Sequence, residues 1–149
     1  MFWTDWEDDK ARIERAFTDG SNRTLLKTTD LKFPNGLAID FNTHKLYWCD
    51  AGTNLIGWMN FDGTSSQVLY RSLSHPFGLD VYHDKLYWTD WKQTSIFQGS
   101  KHGGRKTVTV LKKQSEYLYG VRIFSKEHQA GSLPKTLLFK SLLLFPDND

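Results

Sequence analysis

The sequence predicts an all-β fold assembled from repeated antiparallel units, and three observations support this prediction. A five-residue motif of two aromatic residues, Thr or Cys, Asp and a final Trp or Ala occurs at residues 2–6, 47–51 and 87–91. A strand-like segment with one glycine also recurs, and Gly36, Gly78 and Gly120 are each 42 residues apart. Aromatic residues make up 15% of the 149 residues, as is common in β-rich chains.

The first strand of each unit is predicted from the alternation of side chains along it. Leu37 and Ile39 alternate with Ala38 and Asp40, and the segments that begin at Leu79 and Val121 repeat this phase. A period of two is typical of a strand whose two faces differ. The three segments are therefore expected to begin three units in the same way.

Three further strands are predicted in each unit. Short turns at 42–45 and 83–85 lead into second strands at 46–50 and 86–90. Third strands are expected at 12–18, 55–61 and 95–100, each followed by a turn dipeptide, Asp19-Gly20, Asp62-Gly63 or Gly103-Gly104. Fourth strands are expected at 24–27, 67–70 and 107–111. Four short antiparallel strands every forty-odd residues indicate the blade of a β-propeller.

The predicted strands amount to about three four-stranded antiparallel blades. Residues 1–27 supply three strands of an incomplete blade, 36–70 and 77–111 supply two whole blades, and 119–124 supply one final strand. Closed propellers need about four to eight blades, so residues 1–129 are interpreted as a partial propeller, either a piece of a longer one or a truncated form. Residues 130–149 do not continue the pattern and are interpreted as an irregular C-terminal tail.

Composition and charge exclude several function classes. The net charge is only +2, without a dense basic stripe, so we expect no nucleic-acid partner. The longest apolar run, residues 137–145, contains Lys140 and is too short to span a membrane, so we expect no direct membrane insertion. The N-terminus lacks the basic and apolar regions of a secretory signal peptide.

No metal or cofactor is expected. The single cysteine, Cys49, stands where the motif otherwise has Thr, and it is predicted to be a small buried side chain rather than a redox or catalytic group. No Cys/His cluster has zinc spacing, and the acidic run at residues 7–9 lacks the spacing of a calcium loop.

The Trp and Asp residues of the motif are interpreted as structural. An enzyme needs one site rather than one in every blade, and a buried carboxylate must be paired or hydrogen-bonded. The indole rings are expected to pack between blades. The set comprises Trp3, Asp5, Trp48, Asp50, Trp88 and Asp90.

The recurring Tyr-Trp-Thr-Asp strand resembles the YWTD propellers of the low-density-lipoprotein receptor family and of nidogen. The resemblance covers roughly residues 2–129 and is carried by the motif, the Pro-x-Gly strand and the Asp-Gly turn in this order. Within this family the sequence most resembles the receptor-related proteins, including the Wnt co-receptor branch, with nidogen as a near alternative. It implies a ring of six blades, a following EGF-like module, and motif carboxylates that tie their strands to the backbone of a neighbouring blade.

The resemblance implies a non-catalytic, extracellular module that binds a protein ligand within a receptor ectodomain of the endocytic or Wnt co-receptor type. A nidogen-like propeller that joins laminin to other basement-membrane components is the alternative. The implied partners are the protein ligand, the remaining blades and the EGF-like module. A propeller hydrolase is a third interpretation, which needs a metal or acid cluster at the mouth of the channel.

One set of residues is predicted to form the ligand-binding face. Residues that enter the first strand of a blade and residues that follow the motif should meet at one end of the ring, near its channel. Aromatic residues with a few polar groups on rigid strands are typical of binding hot spots. The set comprises Trp6, Glu7, Phe33, Asn35, His75, Phe77, Trp91 and Tyr119.

Three further features of the sequence are expected to lie at the surface. The sequence Asn22-Arg23-Thr24 is an acceptor for N-glycosylation, whose occupancy depends on export. The stretch from Lys101 to Lys113 is either a solvated outer strand or an electropositive rim for acidic ligands. The histidines are either solvated or triggers of ligand release in acid, because His titrates between about pH 5 and 8.

Overall fold

The computed structural model describes residues 1–7 and 10–123, which form three antiparallel sheets. Blade I contains β1 (Phe2–Asp5), β2 (Arg12–Arg15) and β3 (Thr24–Lys27). Blade II contains β4 (Pro34–Asp40), β5 (Lys45–Asp50), β6 (Leu55–Asn60) and β7 (Gln67–Tyr70). Blade III contains β8 (Pro76–Tyr82), β9 (Lys85–Asp90), β10 (Ser95–Ser100) and β11 (Thr109–Lys113). The predicted all-β fold of antiparallel blades is confirmed.

The first strands of blades II and III, β4 and β8, lie against each other. A Cβ atom on Gly36 would lie 2.7 Å from the carbonyl oxygen of Phe77, and one on Gly78 would lie 2.7 Å from the Cα atom of Gly120. Any side chain at these two positions would push the strands apart. The recurring glycine is therefore required because neighbouring first strands approach so closely.

The Asp-Gly turns adopt the conformation that their sequence predicts. Gly20 and Gly63 have φ values of 85° and 87°, in the left-handed region that glycine enters without steric cost. The preceding Asp side chain accepts a hydrogen bond from the backbone two residues later, as in the 3.0 Å bond from the Thr64 N–H to Asp62. These turns set the register between third and fourth strands.

Apolar side chains fill the space between neighbouring blades. One cluster joins blades I and II around Trp48, and a second joins blades II and III around Trp88; each of these side chains is only 1% exposed. Cys49 belongs to the second cluster and is fully buried, as predicted. Burial raises the pKa of its thiol to about 12, and the thiol donates a 3.2 Å hydrogen bond to the Phe77 carbonyl.

Several strand ends differ from the predicted ranges by one to three residues, and two of these differences have a clear local cause. β2 ends at Arg15 rather than at residue 18, because the chain folds back there and the Phe17 N–H donates to the Ser21 carbonyl. The last strand of blade III begins at Thr109 rather than at residue 107. Thr107 belongs instead to a 3₁₀ turn (Arg105–Thr107), in which its hydroxyl donates a 2.6 Å hydrogen bond to the Gly104 carbonyl.

The segment predicted as a final strand lies alongside β8. Among its described residues, 119–123, only Ile123 forms a strand bridge. The Ile123 N–H donates a 2.6 Å hydrogen bond to the Asp80 carboxylate, and the Arg122 guanidinium donates a 2.9 Å bond to the Leu79 carbonyl. Phe124, residues 125–129 of the predicted partial propeller and the tail at 130–149 lie outside the described residues.

No helical segment in the described residues has the length and hydropathy that crossing a bilayer requires.

Candidate ligand-binding face

The buried Asp of the motif fixes the linker that enters blade II. Asp50 is fully buried, and its carboxylate accepts hydrogen bonds from the backbone N–H groups of Lys32 at 2.7 Å and Phe33 at 3.2 Å. It also accepts 2.8 Å bonds from the N–H groups of Gly52 and Thr53. Lys32 and Phe33 lie in the linker that leads into blade II, to which Asp50 itself belongs. The family resemblance had implied that the carboxylate bonds to the backbone of a neighbouring blade.

The same arrangement recurs at blade III. The Asp90 carboxylate accepts the His75 N–H at 2.8 Å and the Gln93 N–H at 2.9 Å. The Trp91 N–H in turn donates to the His75 carbonyl at 2.9 Å. The residue before the first strand and the residue after the motif are thus held side by side, which places their side chains at one end of the blades.

Six of the eight residues predicted for the ligand-binding face form three ring pairs. In each pair the ring centroids are 5.5 Å apart, a separation at which aromatic rings attract each other. The pairs are Trp6 with Phe33 at an interplanar angle of 80°, His75 with Trp91 at 41°, and Phe77 with Tyr119 at 88°. We call these three pairs the aromatic row.

A cleft of about 480 Å³ opens between the first strands. Asn35, Phe77 and Tyr119, which are 42 residues apart in the sequence, all line it, together with apolar side chains such as Leu37 and Leu79. The recurring glycines form part of its wall because they carry no side chain. The cleft can therefore receive one side chain or a narrow loop of a ligand.

The exposed residues of the predicted ligand-binding face differ in what they offer to a partner. Trp6 is 55% exposed and Phe33 is 39% exposed, so both offer apolar surface to a partner. Glu7 is also exposed but does not line the cleft, and its backbone N–H donates a 3.1 Å bond to Asp5.

One aromatic residue of this face was missed by the sequence analysis. Tyr117 stacks on Trp91 with ring centroids 4.2 Å apart and remains 51% exposed. It follows His75 by 42 residues, just as His75 follows Phe33, so the spacing of the repeat could have predicted that Tyr117 belongs to this face. Within the described part of the chain, the buried indole N–H of Trp91 has no hydrogen-bond acceptor.

The opposite end of the first strands combines charged side chains with aromatic ones such as Phe41 and Tyr82. A cleft of about 980 Å³ there contains Asp40, whose carboxylate lies 3.0 Å from the Lys101 ammonium. Burial alone raises the pKa of Asp40, but hydrogen bonds from Lys101 and Thr43 outweigh burial, so its pKa lies below the ordinary value. This ion pair joins the end of β4 to the turn after β10 and so links blades II and III.

Lys101→Met is expected to destabilise the fold by about 2 kcal/mol at pH 7, because it leaves the buried Asp40 carboxylate without its cation. The depressed pKa means that this stabilisation is complete above the unfolded-state value of about 4 and is lost as the pH falls through the folded value. Urea unfolding at pH 7 and pH 3 measures it. The exposed Lys112→Met is the control, and an equal effect of both variants at pH 7 would contradict the assignment.

The remaining predicted features are placed as follows. Asn22 is exposed in the turn before β3, with φ 52°. All five residues of β11 are exposed, which favours a solvated outer strand. In residues 1–7 and 10–123 there is no group of three or more His, Cys, Asp or Glu side chains that could hold a metal ion. Asp8 and Asp9 of the acidic run lie outside the described residues.

Comparison with known proteins identifies the repeat. Residues 1–41 match the family model of the low-density lipoprotein receptor repeat class B. Residues 1–41 therefore resemble one such class B repeat. The resemblance drawn from the Tyr-Trp-Thr-Asp strand is therefore confirmed.

Two receptors are similar to this chain over most of its length. The sortilin-related receptor of Mus musculus is 41% identical over 127 residues, which are 85% of this chain and 6% of the receptor. The vitellogenin receptor Yl of Drosophila melanogaster is 35% identical over 133 residues, which are 89% of this chain and 7% of the receptor. The chain thus spans only a small part of the length of these relatives.

The chain also resembles a solved structure. A chain in the crystal structure of a nidogen/laminin complex matches with a TM-score of 0.70 and 33% identity. The match covers 80% of this chain and 45% of the other. The relation therefore extends over most of the described blades.

Proposed function

We propose that this chain is a non-catalytic, extracellular module that binds a protein ligand within the ectodomain of a low-density-lipoprotein receptor-related receptor. The single observation that carries the proposal is the aromatic row beside the 480 Å³ cleft. Class B repeats and the two receptor relatives support a receptor setting, and an endocytic or Wnt co-receptor role is the finer form of the proposal.

The chemistry of the face favours an apolar protein loop as ligand. Trp6 and Phe33 offer exposed rings, and the cleft lined by Phe77 and Tyr119 can take up an inserted side chain. Large aromatic residues on fixed backbone lose little conformational entropy on binding, which makes them effective hot spots. Binding would then depend on rigid shape complementarity, with Asn35 supplying a polar contact at the cleft.

A nidogen-like scaffold that binds laminin is the second candidate function. It is favoured by the 33% identity and TM-score of 0.70 to a chain of the nidogen/laminin complex. Laminin is therefore a defined probe for this candidate. In either setting, Asn22 is exposed and is proposed to carry an N-linked glycan after export.

Replacement of the aromatic row is expected to weaken ligand binding by about tenfold or more, because truncating a hot-spot ring costs about 2 kcal/mol. Constrained peptides are selected on the wild-type chain by phage display, and their affinities for Trp6→Ala and Phe77→Ala are measured by biolayer interferometry. Laminin is measured in parallel. Near-UV circular dichroism confirms that each variant keeps its tertiary packing.

Phe41→Ala is the matched control, because Phe41 is an aromatic residue that is 72% exposed at the opposite end of the blades. It should leave the affinity of the selected peptides unchanged. If the peptides bind the Trp6 and Phe77 variants as well as the wild type, but not the Phe41 variant, the proposed face is wrong. Laminin binding that depends on Trp6 would favour the scaffold function over the receptor function.

A further inference from the structure

We propose that the contact between blades II and III contains a binding site for a small, uncharged, planar aromatic molecule. The site is a pocket of about 240 Å³ beside Trp88, named here the junction pocket. It shares no lining residue with the 480 Å³ cleft, and none of the eight residues predicted for the ligand-binding face lines it. The proposal therefore goes beyond the binding of a protein ligand.

Three buried aromatic rings line the junction pocket. Trp88, Tyr70 and Phe97 are 1%, 2% and 8% exposed. The Trp88 ring stacks on Phe97 at an interplanar angle of 12° and is tilted by 35° against Tyr70, with ring centroids 5.6 Å apart in both pairs. Rings in such arrangements attract a further aromatic ring through edge-to-face or offset-stacked contacts. The wall of the pocket thus favours an aromatic guest.

Aliphatic side chains complete the apolar part of the wall. Leu73, from the linker between β7 and β8, and Val108, just before β11, both line the pocket. Both are half-buried and pack against the apolar cluster that joins blades II and III. A guest in the pocket would therefore extend this cluster and remove apolar surface from water.

The buried polar groups of the lining are already bonded to the protein. The Tyr70 hydroxyl donates a 2.7 Å hydrogen bond to the Ser100 carbonyl. The Asp90 carboxylate accepts the N–H groups of His75 and Gln93 at 2.8 and 2.9 Å. Polar groups that are satisfied in this way need no partner on a guest. An uncharged molecule is therefore expected to bind better than a charged one.

The pocket is connected to solvent. Its lining also includes Arg71, Ser72 and Gln93, which are exposed. A wall that contains both exposed side chains and buried rings runs from the surface to the interior of the junction. A small molecule can therefore enter without separation of the two blades.

The junction pocket belongs to a local difference between two blade contacts. The residue opposite the motif Trp on the third strand is Gly57 in blade II and Phe97 in blade III. The Trp48 ring lies directly on Gly57, since a Cβ atom there would lie 2.5 Å from its Cζ2 atom. Trp88 instead stacks on the Phe97 ring. The site is thus expected at the junction of blades II and III and not at that of blades I and II.

The linker that forms one wall is held at two points. The Leu73 N–H donates a 3.0 Å hydrogen bond to the Asn54 carbonyl in the turn after β5, and the His75 N–H donates to Asp90. The wall is therefore fixed before any guest arrives. Binding to such a preformed site has a small cost in conformational entropy.

The volume of the pocket limits the guest to one or two fused rings. An apolar cavity of about 150 Å³ lined by aliphatic and aromatic side chains is large enough to bind benzene. Sites for drug-sized ligands are larger, from about 300 Å³ upward. Indole, with two fused rings and no charge, is therefore a suitable probe for a pocket of about 240 Å³.

Isothermal titration calorimetry of the 149-residue chain with indole tests the proposal. One site is expected, with a dissociation constant of about 1 mM or below, as is usual for a ligand of this size. The midpoint of thermal unfolding should rise with indole concentration, because the guest binds only the folded state. The absence of saturable binding up to the solubility limit of indole would overturn the proposal.

Nuclear magnetic resonance of the ¹⁵N-labelled chain locates the bound indole. The Trp indole N–H signals are assigned by single Trp→Phe replacements. Indole should shift the signal of Trp88 and leave that of Trp48, at the other blade contact, unchanged. Shifts confined to Trp6 would place the guest on the aromatic row and would overturn the junction pocket.

Leu73→Trp is expected to weaken indole binding by about tenfold or more, because the larger side chain fills the pocket. Leu31→Trp is the matched control: Leu31 lies 42 residues earlier, is half-buried, and packs at the contact between blades I and II. Its affinity for indole should equal that of the wild type. Equal affinities of the Leu73 and Leu31 variants would contradict the assignment.

Urea unfolding verifies that each variant folds cooperatively. If Leu73→Trp does not, Val108→Phe narrows the pocket from its other wall and should weaken indole binding in the same way. Peptides selected on the aromatic row should bind the folded pocket variant with unchanged affinity. Failure of the junction pocket is thereby distinguished from failure of the ligand-binding face.

Discussion

Asp50→Asn is expected to destabilise the fold by about 3 kcal/mol, although it changes only one atom of the side chain. The carboxylate accepts four backbone N–H groups, two in the linker and two in the following turn. An amide can offer only one oxygen, so its NH₂ group must face at least one N–H donor in a fully buried site. Urea unfolding at pH 7, followed by Trp fluorescence, measures the change.

Asp62→Asn is the matched control, because Asp62 accepts the Thr64 N–H in an exposed turn where Asn is also well tolerated. It should change the unfolding free energy by about 0.5 kcal/mol or less. Equal stability of the two variants would contradict the structural role of Asp50. An intact fold combined with the loss of a catalytic activity would instead contradict the non-catalytic function.

Trp88→Ala is expected to cost about 4 kcal/mol, within the range for removing a large ring from a packed core. Trp88 lies between blades II and III, stacked on Phe97 at 5.6 Å and tilted against Tyr70 at the same distance. Its removal leaves a cavity that these rigid strands cannot close. Guanidinium unfolding and the loss of near-UV circular dichroism measure the effect.

Trp6→Ala provides the comparison, since the same ring at 55% exposure should contribute about 1 kcal/mol or less. A Trp88 variant as stable as the Trp6 variant would show that the contact between blades II and III does not limit stability. The two variants also separate functions, because only Trp6 belongs to the proposed ligand-binding face.

Much of the fold could be predicted because the same pattern of strands and turns occurs several times in the sequence. The alternation at Leu37 and Ile39 and the Asp-Gly turns are local signals, and the observed strands follow them closely. The ends of strands were less predictable. The start of β11 depends on the Thr107 hydroxyl, which bonds to Gly104 and lies 3.0 Å from the Tyr70 hydroxyl of another blade.

The candidate face could be predicted only as a set of positions. The spacing of 42 residues indicated that Asn35, Phe77 and Tyr119 are equivalent, and the structure places all three on one cleft. The sequence did not reveal that Tyr117 stacks on Trp91, because ring contacts depend on how the linkers are held in space.

The sequence by itself determined the blade, its strand order and the repeated positions that share one end of the blade, since all three follow from periodicity and turn chemistry within about forty residues. Only the tertiary structure decided what surrounds each repeated position. Trp48 and Trp3 occupy the same place in the repeat, yet one is buried and the other is half-buried, because burial depends on the neighbouring blade rather than on the residue's own. The same holds for Gly120, where a Cβ atom would have no neighbour within 4 Å among residues 1–7 and 10–123, although Gly36 and Gly78 are closely surrounded.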